Sequence, residues 1–237
     1  MNPRVGSDRR TGLALVGLLV LLTFSPAAAW GRKPPKQEEV KVTLRPLSAS
    51  EVMAILQRFP EMVPSYLAEQ KNDTGLLKYL FPFKEVTSAP MERVFPGVRF
   101  YQGLDRSRSC GAEYPYLIAI AGGRRYMMPG KFNHLLLNGG QKVTDENIMA
   151  LARAFVISAI SSEHYNSFPE ITFMDATRTK MEAWTTDAAQ LRVKIDAQTQ
   201  EWHFNVLRNQ FDGVSRVNEK GLIRDYLLAV VESLPNR

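Results

Sequence analysis

Cysteine is almost missing from this chain: 237 residues carry one, Cys110. A lone thiol cannot close an intramolecular disulfide, so packing and hydrogen bonds must hold the fold, and sites built on paired cysteines are excluded. Histidine is scarce too. His134, His164 and His203 are the three present, and no His-Glu-x-x-His segment or similar short ligand spacing joins them. No glycine-rich loop carries the lysine a phosphate cradle needs, and Gly122-Gly123 and Gly139-Gly140 read as turns. Neither a metal nor a cofactor is expected. Repeated blocks and low-complexity tracts are also missing, as is an apolar run of the roughly 20 residues that span a bilayer.

Strong charge of one sign is lacking as well. The formal net charge is +6, from 30 basic and 24 acidic residues distributed along the chain. Nucleic-acid binding wants clustered positive charge on one face, so none is expected. Arg106, Arg108, Arg124 and Arg125 would make a patch for anionic envelope polymers only if their loop and hairpin meet.

What is present at the front is an address. Arg4, Arg9 and Arg10 precede the apolar stretch from Leu13 to Phe24, then come Ser25-Pro26 and Ala27-Ala28-Ala29. Positive, apolar, helix-breaking, small: that order is the layout of a secretory signal. Cleavage is expected after Ala29. The apolar stretch is 12 residues, short for an uncleaved anchor. Arg9-Arg10 lacks the remaining consensus of a twin-arginine signal, and no cysteine at the cut could carry a lipid. The expected product is a soluble exported protein, periplasmic or secreted, with no membrane span. Asn72-Asp73-Thr74 is a glycosylation sequon that matters only in a eukaryotic secretory pathway.

Residues 30–41, with Lys33-Pro34-Pro35-Lys36 and Glu38-Glu39, read as a solvated linker. Ser48-Ala49-Ser50-Glu51 is a capping box that starts a helix carrying Val52, Met53, Ile55, Leu56 and Phe59. Pro64 to Lys71 and the residues around Leu76, Leu77 and Leu80 suggest two more helices, so 42–96 reads as a small helical cluster. Beyond Pro96-Gly97 the period changes. Val98–Tyr101 and Tyr116–Ile120 suit strands, Gly122-Gly123 a tight hairpin turn, and Phe132–Leu137 a short helix. Ile148, Leu151, Ala152, Phe155, Val156, Ala159 and Ile160 form one apolar stripe on a long helix opened by Thr144-Asp145-Glu146. Leu191, Val193 and Ile195, then Trp202, Phe204 and Val206, alternate with polar residues around a turn at Ala197-Gln198-Thr199. Leu222, Ile223, Tyr226, Leu227, Val230, Val231 and Leu234 carry helical spacing, with a last strand as the alternative after the turn at Asn218–Gly221. The expected fold is α+β: an antiparallel sheet in 97–237 covered by the long helix, with the helical cluster of 42–96 in the same compact domain.

Candidate chemistry is thin. Ser161-Ser-Glu-His-Tyr-Asn166 is the densest polar segment, and Glu163, His164, Glu170 and Asp175 would supply acid–base pairs if the fold converges them. The simpler reading is a helix terminus with cap and loop residues, where His164 complements the helix dipole. Cys110 lies near Arg106 and Arg108, which would favour a thiolate, but Pro115 and the strand after it leave no room for the helix on which such nucleophiles usually sit. His203 falls on the polar face of a strand, and His134 beside a turn. The leading expectation is therefore a non-enzymatic binding or interaction module taking a protein, a peptide or a small apolar ligand. The alternative is a small hydrolase or thiol enzyme using Cys110 or the Glu163/His164 cluster.

Overall fold

Two amphipathic strands joined by a short turn share one apolar face and need a second layer to cover it. The computed structural model, which describes residues 37–58, 83–105, 114–182 and 184–232, supplies that layer with a helix and a second sheet together. In chain order the elements are β1 (Glu38–Val40), β2 (Val42–Pro46), α1 (Ala49–Arg58), β3 (Lys84–Ser88), α2 (Ala89–Val94), β4 (Arg99–Asp105), β5 (Tyr114–Ala121), β6 (Arg124–Met128), α3 (Phe132–Asn138), α4 (Ile148–Ser161), β7 (Ile171–Arg178), β8 (Trp184–Ile195), β9 (Gln198–Leu207), β10 (Gln210–Asn218) and β11 (Gly221–Leu227).

The strands form two antiparallel sheets. One has six strands in the order β1-β7-β8-β9-β10-β11, the other five in the order β2-β3-β4-β5-β6. Their sequential order follows from tight turns. Gly122 and Gly123, at φ +55° and +75°, close β5 onto β6, the positive angles that a two-residue hairpin turn requires. Asp196 at φ +51° turns β8 into β9 one residue earlier than the expected Ala197-Gln198-Thr199, and Arg208 and Asn209 turn β9 into β10. Leu191, Val193 and Ile195 of β8 and Trp202, Phe204 and Val206 of β9 all face the core, as their alternation predicts.

The capping box is formed. The Ser48 amide donates to Glu51 Oε2 at 2.8 Å and the Glu51 amide to Ser48 Oγ at 3.3 Å, which fixes the start of α1. From there α1 lays Val52 and Leu56 against Tyr101, Ile118 and Ile120. The alternate residues Phe100, Leu117 and Ala119 point into the main core. The five-stranded sheet is thus buried on both faces, which accounts for the nearly unbroken apolar run Tyr116–Ile120.

The expected covering helix is where the fold departs most from the sequence reading. The described residues are predominantly antiparallel sheet with short helices, and among them no long helix covers a sheet. The expected stripe does lie on α4, but α4 packs between the two sheets, on β8 of one and β5 of the other, and against α2. Ala154, Ile157, Ser158 and Ser161 are buried along with the stripe. The cause lies in the sequence: Ile148–Ser161 has one charge, Arg153, and a helix apolar all round is enclosed rather than laid on a surface.

Three further expectations are corrected. The carboxy-terminal helix is strand β11, because Gly221 at φ +112° follows a two-residue turn and pairs the chain back onto β10. The linker is partly structured, since Glu38–Val40 pairs with Phe173–Ile171 of β7 and Val40 is buried. Among the described residues of the amino-terminal region, β2 and β3 accompany α1 and α2, so these residues are not helical alone. The helices expected at Pro64–Lys71 and around Leu76 lie outside the described residues, as does the signal segment. Among the described residues, no helix is long and apolar enough to cross a membrane.

Candidate functional site

Chain exit from α4 gathers bonds from both sheets. The last carbonyls of a helix lack partners within it. Here the backbone turns at Glu163 and His164, whose amides donate to the Ile160 oxygen at 3.0 and 3.1 Å. Gln102 Nε2, buried on β4, donates to the oxygens of Ser161 and His164. Lys84 Nζ donates to the Tyr165 oxygen at 2.6 Å and lies 3.9 Å from the centre of that ring. Lys84 and Gln102 are cross-strand partners on β3 and β4. A cation and an amide from one sheet therefore close the negative end of the helix dipole. Burial lowers the proton affinity of Lys84.

Toward the other sheet the same segment extends Glu163. Its Oε1 accepts from Arg224 Nη1 and from the Tyr226 hydroxyl, both at 2.7 Å, and its Oε2 accepts from Arg216 Nη1 at 2.7 Å. Arg216 Nε donates in turn to Gln200 Oε1 at 2.6 Å. Trp202 stacks against Tyr226 with ring centres 6.0 Å apart, and the Arg216 guanidinium lies 5.1 Å from the Trp202 ring. Burial, then the hydrogen bond to Glu163, pushes the Tyr226 phenol well above its ordinary range, so it stays a neutral donor. One carboxylate thereby gathers β10 and β11, and through Arg216 also β9.

Of the acid–base candidates, Glu163 and His164 are neighbours in sequence, but their side chains are not hydrogen-bonded to each other among the described contacts. Both Glu163 oxygens are engaged, which suits fastening better than proton transfer, where an oxygen must meet the substrate. Glu170 and Asp175 are elsewhere: the Glu170 amide donates to Asp196 Oδ1, and Asp175 pairs with Arg192 at 3.2 Å. His203 sits on the outer face of β9, with Nδ1 3.1 Å from Asp187 Oδ1 and Nε2 3.7 Å from Glu201 Oε2. His134 is half-buried on α3, where burial and then Lys131 lower its proton affinity. Cys110, Arg106 and Arg108 lie outside the described residues. No cluster of potential metal ligands occurs among the described residues.

Arg216, Arg224, Tyr226, Gln102 and Lys84 were not recognised from sequence. Arg216 did leave a signal: it occupies a core-facing position on β10, one residue out of phase with Ser215 and Val217, and a charge in an apolar phase demands a buried partner. Nothing local marked Gln102 or Lys84.

The other notable surface is β11. It ends the six-stranded sheet, and no further strand lies beyond it among the described residues. Leu222, Ile223 and Leu227 are 62%, 40% and 90% exposed. Two depressions elsewhere are polar. One of about 150 Å³ lies between Asp175, Gln190, Arg192 and Glu201, and one of about 370 Å³ beside Asp145, Glu146 and Glu182. The chain matches no protein-family model, no curated protein and no solved structure.

Proposed function

We propose that this chain is an exported, non-enzymatic interaction module that docks an extended segment of a protein or peptide along β11. One observation carries the reading: an edge strand with three apolar side chains open to solvent. Such an edge offers a row of backbone donors and acceptors to an incoming strand, and folded proteins usually shield it with charge, proline or a covering loop. Of the two charges on β11, Arg224 is paired with Glu163 although its side chain is about half exposed, and Asp225 is exposed between Ile223 and Leu227. The edge thus carries one further charge among three exposed apolar side chains, Leu222, Ile223 and Leu227. The space between the sheets is occupied by α4 and by the rings of Phe132, Phe155, Phe204 and Phe211, so recognition of a partner belongs on the outside. Export rests on the three-part layout of residues 1–29.

A display library of extended peptides, selected on the chain beginning at Trp30, tests the docking. The expected winners alternate apolar and polar residues, and calorimetry shows their affinity dropping about tenfold or more, the scale of 1.4 kcal/mol, in Leu227→Lys. No enrichment, or binding indifferent to both Leu227→Lys and Leu222→Lys, overturns the reading. Mass spectrometry of the protein from its host tests export: a mature chain starting near Trp30 is expected, and a retained Met1 contradicts it.

A further inference from the structure

We infer that Glu163 is the latch that holds β11 in place, so that the docking edge exists as a formed strand only while this carboxylate is engaged. Besides this carboxylate, β11 is held by one ladder, with β10, and by the Tyr226 ring against Trp202 and Phe155. Of its seven residues only Tyr226 is buried, and its pairing with β10 is interrupted by a bulge at Arg216/Val217. Beyond the strand, Leu228 is buried and its amide donates to the Asp212 oxygen. To this one-sided attachment are added two charge-assisted bonds from β11 to one oxygen, Glu163 Oε1, bonds of the stronger kind. The latch is itself anchored on the far side. Gln102 and Lys84 of the five-stranded sheet hold the oxygens of Ser161, His164 and Tyr165 around it. An edge strand with few buried contacts is the element most prone to open on its own. Glu163 is therefore placed to decide whether it does.

This inference takes its meaning from docking at β11, but its test involves no partner, so the two can fail separately. Hydrogen exchange is followed residue by residue in Glu163→Gln, and in Arg224→Gln combined with Tyr226→Phe. The second variant removes both hooks from β11 while leaving the Arg216–Glu163 pair, which guards against a general loss of folding. Amides of 221–227 are expected to exchange about tenfold faster or more in both, with Leu117–Ala119 of β5 and Phe204–Val206 of β9 unchanged. Unchanged exchange at 221–227, or equal acceleration in both sheets, overturns the latch. Peptide binding indifferent to both Leu227→Lys and Leu222→Lys would instead remove docking and leave the latch standing.

Discussion

The Glu163 carboxylate meets the Arg216 guanidinium at 2.7 Å where the arginine side chain is 8% exposed and the glutamate 19%. Arg216 sits on the core face of β10, between the Trp202 ring and Gln200, so its charge is withdrawn from water. Such a charge is tolerated only with a partner and hydrogen bonds in place.

Arg216→Ala is expected to lower stability by about 1.5–3 kcal/mol, the worth of hydrogen bonds to a charged group. The value stays below that of an orphaned charge because Glu163 keeps Arg224 and Tyr226. Urea denaturation measures it, and an unchanged midpoint would show that the pair contributes nothing net.

Phe155 is the centre of the core. Its ring, carried by α4, lies 5.2 to 6.2 Å from those of Phe132, Tyr226, Phe204 and Phe211. Phe155→Ala is expected to cost about 3–5 kcal/mol, the usual range for deleting a buried ring. Phe155→Leu should cost clearly less. Equal losses for the two, read from thermal or urea unfolding, would mean that the site collapses freely around any residue.

Gly103 has no room for a side chain. It lies opposite Tyr116 on β5, whose ring folds over it, and a Cβ built there overlaps the Tyr116 hydroxyl and crowds the Phe83 ring. Gly103→Ala should destabilise by about 1–3 kcal/mol through overpacking. Adding Tyr116→Ala should recover part of that loss in a double-mutant cycle. Strict additivity of the two changes would place the clash elsewhere.

Glu51 carries the pH dependence of α1. The Arg45 hydrogen bond, then those from Ser48, lower its pKa from 4.5 to about 2. A proton binds it more tightly in the unfolded chain, so its contribution is complete above about pH 4.5 and is lost as pH falls through about 2. Carboxyl chemical shifts should titrate near 2 in the native protein and move upward in Arg45→Met. A midpoint near 4.5 in the native protein would mean that these bonds do not persist in solution.

Local grammar was legible in the residues themselves. The Ser48/Glu51 box, the Gly122-Gly123 turn, the alternation from Leu191 to Val206 and the apolar stripe of α4 each rest on contacts within a few positions, where spacing and backbone angles decide the outcome. Around the candidate site only Glu163 and His164 stood out beforehand, as members of a polar segment. Glu163's partners lie 53, 61 and 63 positions away, and no spacing rule reaches so far. Leu222 to Leu227 carried helical spacing, with only the preceding turn to suggest a strand, and the pairing with β10 made them one.

By itself, then, the amino-acid order determined which faces are apolar and where the chain turns, because those depend on neighbours in sequence. Tertiary structure alone decided that α4 is enclosed by two sheets instead of covering one, that the last described strand is an edge of its sheet, and that one carboxylate bonds to it. The reason is physical: an apolar face demands burial without naming its cover, and a buried charge demands a partner without saying where the fold will bring one.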